Sequence, residues 1–214
     1  DPRFYPFMMR LSRQPNRYHG KQYIRKPRYH YPQPLTFYLD MGPLPARGYR
    51  QTRIQRSMNS KFQDDMLKLH NRYRVRHCAR PLTLSQRLSQ IAQSHAEYLA
   101  ATSKYEYSGH TLEDEPLGEN LFLEWANEGP AKASAKAIVK YWYGEIAQYD
   151  FDNPRFLQET AHFTQMVWKS SRKLGVGVAY SPDRSEVYVV TNYYPAGNIE
   201  DPGFFEENVS PPTC

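Results

Sequence analysis

The chain has 214 residues, 40% of them apolar and 23% charged, enough for one domain with a buried core. No run approaches the ~20 apolar residues of a membrane-spanning helix, and two cysteines exclude a disulfide-dense scaffold. The net charge of +6 is unevenly placed: residues 1–57 hold twelve Lys and Arg against Asp1 and Asp40, a net +10, whereas residues 58–214 carry −4.

Eight of the 17 prolines share that N-terminal quarter with few aliphatic residues. Each proline breaks ladders and helices, and little apolar burial is on offer to offset chain entropy. Residues 1–57 therefore read as a disordered basic tail, rich in Pro and Tyr, or as a pro-segment. Residues 58–214 read as the folded domain.

In chain order, Asn59 or Ser60 can cap a first helix with Phe62, Met66, Leu69 and Tyr73 on one face. It should end near Cys78, because Pro81 blocks continuation. A second helix is predicted from about Ser85 to Ala101, with Leu88, Ile91, Ala92, His95 and Leu99 inward and His95 a core histidine. Residues 103–128 show no sustained period and read as a long loop with a short ordered piece at Leu121–Trp125. A third helix is expected from about Pro130, a favoured first-turn residue, with the stripe Ile138, Trp142, Glu145, Ile146 and Tyr149. Two strands, Leu174–Tyr180 and Glu186–Tyr194, flank a hairpin turn at Ser181-Pro182-Asp183-Arg184. Helices first and strands later make an α+β domain. Cys78 and Cys214 are expected as free thiols. Asn208-Val209-Ser210 has the form of a glycosylation sequon, but Pro211 follows it directly.

Three polar residues stand out. Glu145 lies on an apolar stripe, where a carboxylate needs a partner. Glu119 follows Gly118 in the irregular region, and His162 precedes the apolar run Met166-Val167-Trp168. Carboxylates and imidazoles converging on one site could hold a divalent metal or perform acid/base chemistry, and spacing alone leaves both open.

The stretch Ala161-His162-Phe163-Thr164-Gln165-Met166-Val167-Trp168 resembles the signature of the CAP superfamily (cysteine-rich secretory proteins, antigen 5, pathogenesis-related 1). Gly118-Glu119-Asn120-Leu121, His70-Asn71-Arg72-Tyr73-Arg74 and Val189–Asn198 are similar to its other motifs, in the same order. The ending Gly203–Val209 is similar to the Golgi-associated pathogenesis-related branch. The resemblance implies a three-layer α-β-α sandwich with a central antiparallel sheet. It also implies a cleft lined by two histidines and two glutamates, with His70, Asn71, Arg74 and Asn120 as structural motif residues. Glu119, Glu145 and His162 match three cleft positions. At the first histidine position Tyr107-Ser108 stands instead, and His110 follows three residues later. His110, Glu119, Glu145 and His162 are thus the expected tetrad, with His110 and His162 the ligands of a divalent metal such as zinc. Two further departures are Ala161 before His162 and Thr191 where the family usually has a cysteine.

The expected function is binding without turnover: a secreted protein that engages lipid or an anionic membrane surface. The alternatives are a metal-dependent hydrolase using the same cleft and an interaction module of the defence or venom type. Golgi or membrane association is the alternative location. The chain starts at Asp1, which fits removal of a leader and equally an arbitrary boundary of the fragment. A homodimer is a further candidate assembly. The tail suits anionic membranes at about 1 kcal/mol per basic residue near the surface. Arg53-Ile54-Gln55-Arg56 has the form that processing proteases cut, and nucleic acid is the least favoured partner, because no folded reader accompanies the tail.

Overall fold

The computed structural model describes residues 53–214, with side chains from Asn59 onward. The expectations for residues 1–52 lie outside the described residues. The elements are α1 (Arg53–Arg74), β1 (Thr83–Leu84), α2 (Gln86–Thr102), β2 (Thr111–Leu112), β3 (Glu115–Pro116), β4 (Gly118–Trp125), α3 (Ala135–Gly144), α4 (Ala161–Val167), β5 (Lys173–Tyr180), β6 (Glu186–Tyr194) and α5 (Phe204–Asn208). Short 3₁₀ turns follow α1 and α3 and precede α4. α1 runs from Arg53, ahead of residue 58, where the folded domain is expected to begin. Among the described residues no helix is long and apolar enough to cross a membrane.

The main sheet has the order β1-β5-β6-β4. β5–β6 and β6–β4 are antiparallel, and the two-residue β1 joins β5 in parallel. Alternation along β6 makes it the middle layer. Val187, Val189 and Tyr193 enter one core with Met66, Ile138, Trp142, Phe163 and Met166, from α1, α3 and α4. Tyr188 and Val190 enter a second core with Ala92, Ala96 and Leu99 of α2. Period-2 patterning with both faces covered gives the three layers. On β5 the α2 side is taken by Gly175 and Gly177. A Cβ at these positions would lie 2.2 Å from the Leu88 backbone and 2.4 Å from that of Ala92, so α2 rests directly on strand backbone.

Three sequence expectations change. β4 is a full eight-residue strand, not a short ordered piece in a loop. Its first residues Gly118, Glu119, Asn120 and Leu121 are all buried, so no polar–apolar alternation betrays it. α3 starts at Ala135, capped by the Ser134 hydroxyl accepting from the Ala137 amide, rather than near Pro130. Cys78 and Cys214 are not free: they form a disulfide with Cα atoms 5.5 Å apart, closing a sequence separation of 136. Asn208 is buried, its side chain donating to Phe204 O and accepting from the Ser170 amide, so it is not available as a glycan acceptor.

The motif residues hold the layers in register. The fully buried Arg74 guanidinium donates to the carbonyls of Arg80, Met166, Trp168 and Ser171, which pins the end of α4 to α1. Burial pulls its pKa down to about 10, still high enough to stay charged. Asn71 exchanges two hydrogen bonds with the Leu82 backbone. The Tyr193 hydroxyl bridges His70 Nε2 at 2.8 Å and the Asn120 amide at 3.2 Å. Asn120 also donates to His162 O, tying β4 to α4. Burial drives the His70 imidazole down to about 4, so it is neutral in this network.

Candidate functional site

The Glu145–His162 pair is built from regular elements. α3 gives way at Gly144 to a 3₁₀ turn starting at Glu145, which aims the carboxylate at the first turn of α4. Glu145 Oε1 lies 2.7 Å from His162 Nδ1, and Oε2 accepts from the Phe163 amide at 3.0 Å. One carboxylate thus orients the imidazole and satisfies an amide of the first helical turn that has no intrahelical partner. Trp142 stacks on the imidazole with ring centroids 5.8 Å apart. With Nδ1–H donated to Glu145, the lone pair of neutral His162 is on Nε2, which is buried without a hydrogen-bond partner. The pair lies on the wall of a cleft of about 890 Å³ with Gln158, Glu159, Lys140 and Tyr141.

Glu119 lies on β4, opposite Asn192 of β6. It is fully occupied. Oε1 accepts from the Ser108 amide at 2.8 Å, and Oε2 accepts from the Ser108 hydroxyl at 2.6 Å and the Asn192 amide at 3.0 Å. His95 Nε2 is 3.9 Å from Glu119 Oε1 but donates its proton to Glu106 O. His95 is therefore buried as expected of a core histidine, and it also borders the site. His110 turns to His95, with ring centroids 5.8 Å apart and nearly perpendicular planes. Burial lowers the His110 pKa despite the nearby Glu119 charge.

Burial, followed by the charges of Glu119 and Glu145, pushes the Tyr107 phenol up to about 12. The structure therefore joins Glu145 to His162 and places Tyr107 within the field of both glutamates. His110, expected in the tetrad, meets His95 edge to face within the field of Glu119, on the loop from Ser103 to Leu117 that contains the β2–β3 hairpin. Among the described residues, no three His, Cys, Asp or Glu side chains gather closely enough to hold an ion. Ser108, Asn192 and Trp142 are site residues that sequence reasoning missed. The one available signal was the polar pair Thr191-Asn192 within a strand rich in Val and Tyr.

A sequence model of the Cysteine-rich secretory protein family, CAP, matches residues 67–193. The human Golgi-associated plant pathogenesis-related protein 1 is 42% identical over 157 residues, covering 73% of this chain and 97% of that protein. Protein PRY2 of Saccharomyces cerevisiae is 34% identical over 151 residues, 70% of this chain but only 41% of that longer protein. The solved Schistosoma mansoni venom allergen-like protein 4 superposes with a TM-score of 0.52 at 19% identity, covering 66% of this chain and 93% of that one. That likeness carries the fold.

Proposed function

The chain belongs to the cysteine-rich secretory protein family, and from that premise we propose that it acts by binding rather than turnover, at a lipid or anionic membrane surface outside the cytosol. The observation that carries the reading is the exposed face of α3. Lys136 and Lys140 are exposed one turn apart, Tyr141 beside them is 64% exposed, and Lys140 and Tyr141 form part of the cleft wall. Phe122 of β4 meets Tyr141 edge to face, and Tyr105, 54% exposed, donates to Leu121 O of the same strand. Basic side chains flanking amphipathic aromatic rings suit the headgroup region of a bilayer, where the ring is half wet and the ammonium meets phosphate. The +10 charge of residues 1–57 acts in the same direction. Location in the secretory pathway or beyond is supported by the Cys78–Cys214 disulfide, a bond that persists in oxidising compartments.

Co-sedimentation of the full chain with vesicles is the test. Binding to phosphatidylserine-containing vesicles should exceed binding to pure phosphatidylcholine and fall at high salt. The pair Lys136→Glu and Lys140→Glu should weaken it roughly tenfold or more, at about 1 kcal/mol per basic residue. Equal binding to neutral and anionic vesicles would remove the reading.

A further inference from the structure

We propose that the groove between α1 and α2 is a strand-docking site, and that its occupant is the Leu35–Leu39 segment of the same chain, added to the edge of β5 along Val176–Tyr180.

β1 covers the outer edge of β5 only at Lys173 and Leu174. In an antiparallel ladder alternate residues turn their backbone groups away from the partner strand, and beyond β1 those residues are Val176, Val178 and Tyr180. At the first two, side chains stand in for the missing strand. Gln63 donates to Val176 O at 2.8 Å, and the Ser89 hydroxyl accepts from the Val176 amide at 3.2 Å. The Gln93 side chain accepts from the Val178 amide at 3.0 Å and donates to Val178 O at 2.9 Å, the acceptor and donor that a neighbouring strand would supply. At Tyr180 the stand-ins end: among the described residues no side chain bonds its backbone. Gln63, Ser89 and Gln93 line a groove of about 610 Å³ with Asn59 and Ser60 of α1 and Gln90 of α2, and no charged side chain is among the described residues of its walls. Neutral amides along a strand edge recognise peptide backbone through its own hydrogen bonds and favour an extended, uncharged segment.

The occupant follows from the sequence that precedes α1. Within residues 1–52, Leu35-Thr36-Phe37-Tyr38-Leu39 is the one run of five without a proline or a charged residue, and Thr, Phe and Tyr are good strand formers. Five residues match Val176–Tyr180, about 13 Å of strand. Residues 1–52 join the domain at the N-terminus of α1, and Asn59 and Ser60 of the groove wall lie about 10 Å along that helix from Arg53. Residues 40–52 span up to about 45 Å when extended, so the segment reaches the groove with length to spare.

The test is amide hydrogen exchange read by NMR on the full chain, without lipid, so its outcome is separate from that of vesicle binding. Thr36→Pro with Phe37→Pro removes one ladder donor from each alternation of the segment. Exchange at the Tyr180 amide should quicken at least tenfold, whereas Tyr23→Pro should leave it unchanged. Unaltered exchange in α2 checks that the domain stays folded. A spin label on Gln90→Cys should broaden the amide signals of Leu35–Leu39 and spare those of Tyr18–Tyr23. When spin-labelled chains are mixed with isotope-labelled natural chains, the broadening should vanish. The proposal is overturned if the two prolines leave Tyr180 exchange as it was, because the groove then holds no part of this segment. Broadening that persists in the mixture would overturn it too, because the strand would then come from a second copy.

Discussion

The two groups of candidate site residues carry the same kinds of side chain and are held in opposite ways. Glu145 and His162 sit where two helical elements meet, and α4 is fastened from behind by Arg74 and by Asn120. Glu119 sits on a strand, but its partner Ser108 and the neighbouring His95–His110 pair depend on the segment from Ser103 to Leu117. An extra residue in a helix or strand turns every following side chain to another face, whereas an extra residue in a loop costs little. The first group is therefore bound to its geometry, and the second is free to change its loop path while the fold stays as it is.

Breaking the fastening of the first half should have the largest effect. Arg74→Ala leaves four carbonyl acceptors short of a donor and opens a cavity, and it should cost about 3–5 kcal/mol in urea unfolding. A loss below 1 kcal/mol would mean that α4 is held by its apolar face alone. Next in size is acid. His70 has a folded pKa of about 4, below the ordinary imidazole value, so between these values the unfolded chain binds the extra proton and stability rises with pH. Stability should be level above pH ~6.5 and fall by about 3 kcal/mol as pH drops toward 4. His77, also lowered by burial, adds in the same direction. Urea midpoints of the natural chain and of His70→Gln should converge on the acid side, because the variant no longer carries that proton linkage.

The comparison is sharpened by truncating one partner in each half. Glu145→Ala removes a charge-assisted bond to His162 and a bond to the Phe163 amide and should cost about 2 kcal/mol. Ser108→Ala removes the hydroxyl bond to Glu119 and the acceptor of the exposed His110 amide while the Ser108 amide still reaches Glu119, and should cost about 1 kcal/mol. Hydrogen exchange should separate them further. Loss of Ser108 should speed exchange in the Ser103–Leu117 segment only, whereas loss of Glu145 should reach the amides of α4.

The legible parts of the sequence were those whose burial has a period. The stripe Phe62, Met66, Leu69 and Tyr73 marked α1, the run Leu88 to Leu99 marked α2, and Val-rich alternation around Ser181–Arg184 marked the β5–β6 hairpin. Glu145 and His162 were visible because a polar side chain on an apolar stripe needs a partner. β4 was hidden because Glu119 and Asn120 are buried polar residues satisfied by Ser108, Asn192 and Tyr193, and such hydrogen bonds have no sequence period. The start of α1 was misplaced because Arg53–Ser57 looks like the basic tail that precedes it. The meeting of His110 with His95 depends on a loop path that local residue types do not determine. The pairing of Cys78 with Cys214 depends on the whole fold bringing the C-terminus back beside the end of α1.

That last bond has a topological consequence. Joined through sulfur, residues 78–214 form a covalent ring, and the whole cleft, together with the loop that carries Tyr107 and His110, is a part of its circumference. Among the described residues, 53–77, α1 included, lie outside that ring. A protease that nicks the 103–117 loop would open the ring without releasing a fragment. The nicked protein should run as a single species on a non-reducing gel and as two once the sulfurs are reduced, so a cut in the most exchangeable part of the site need not separate the halves of the molecule.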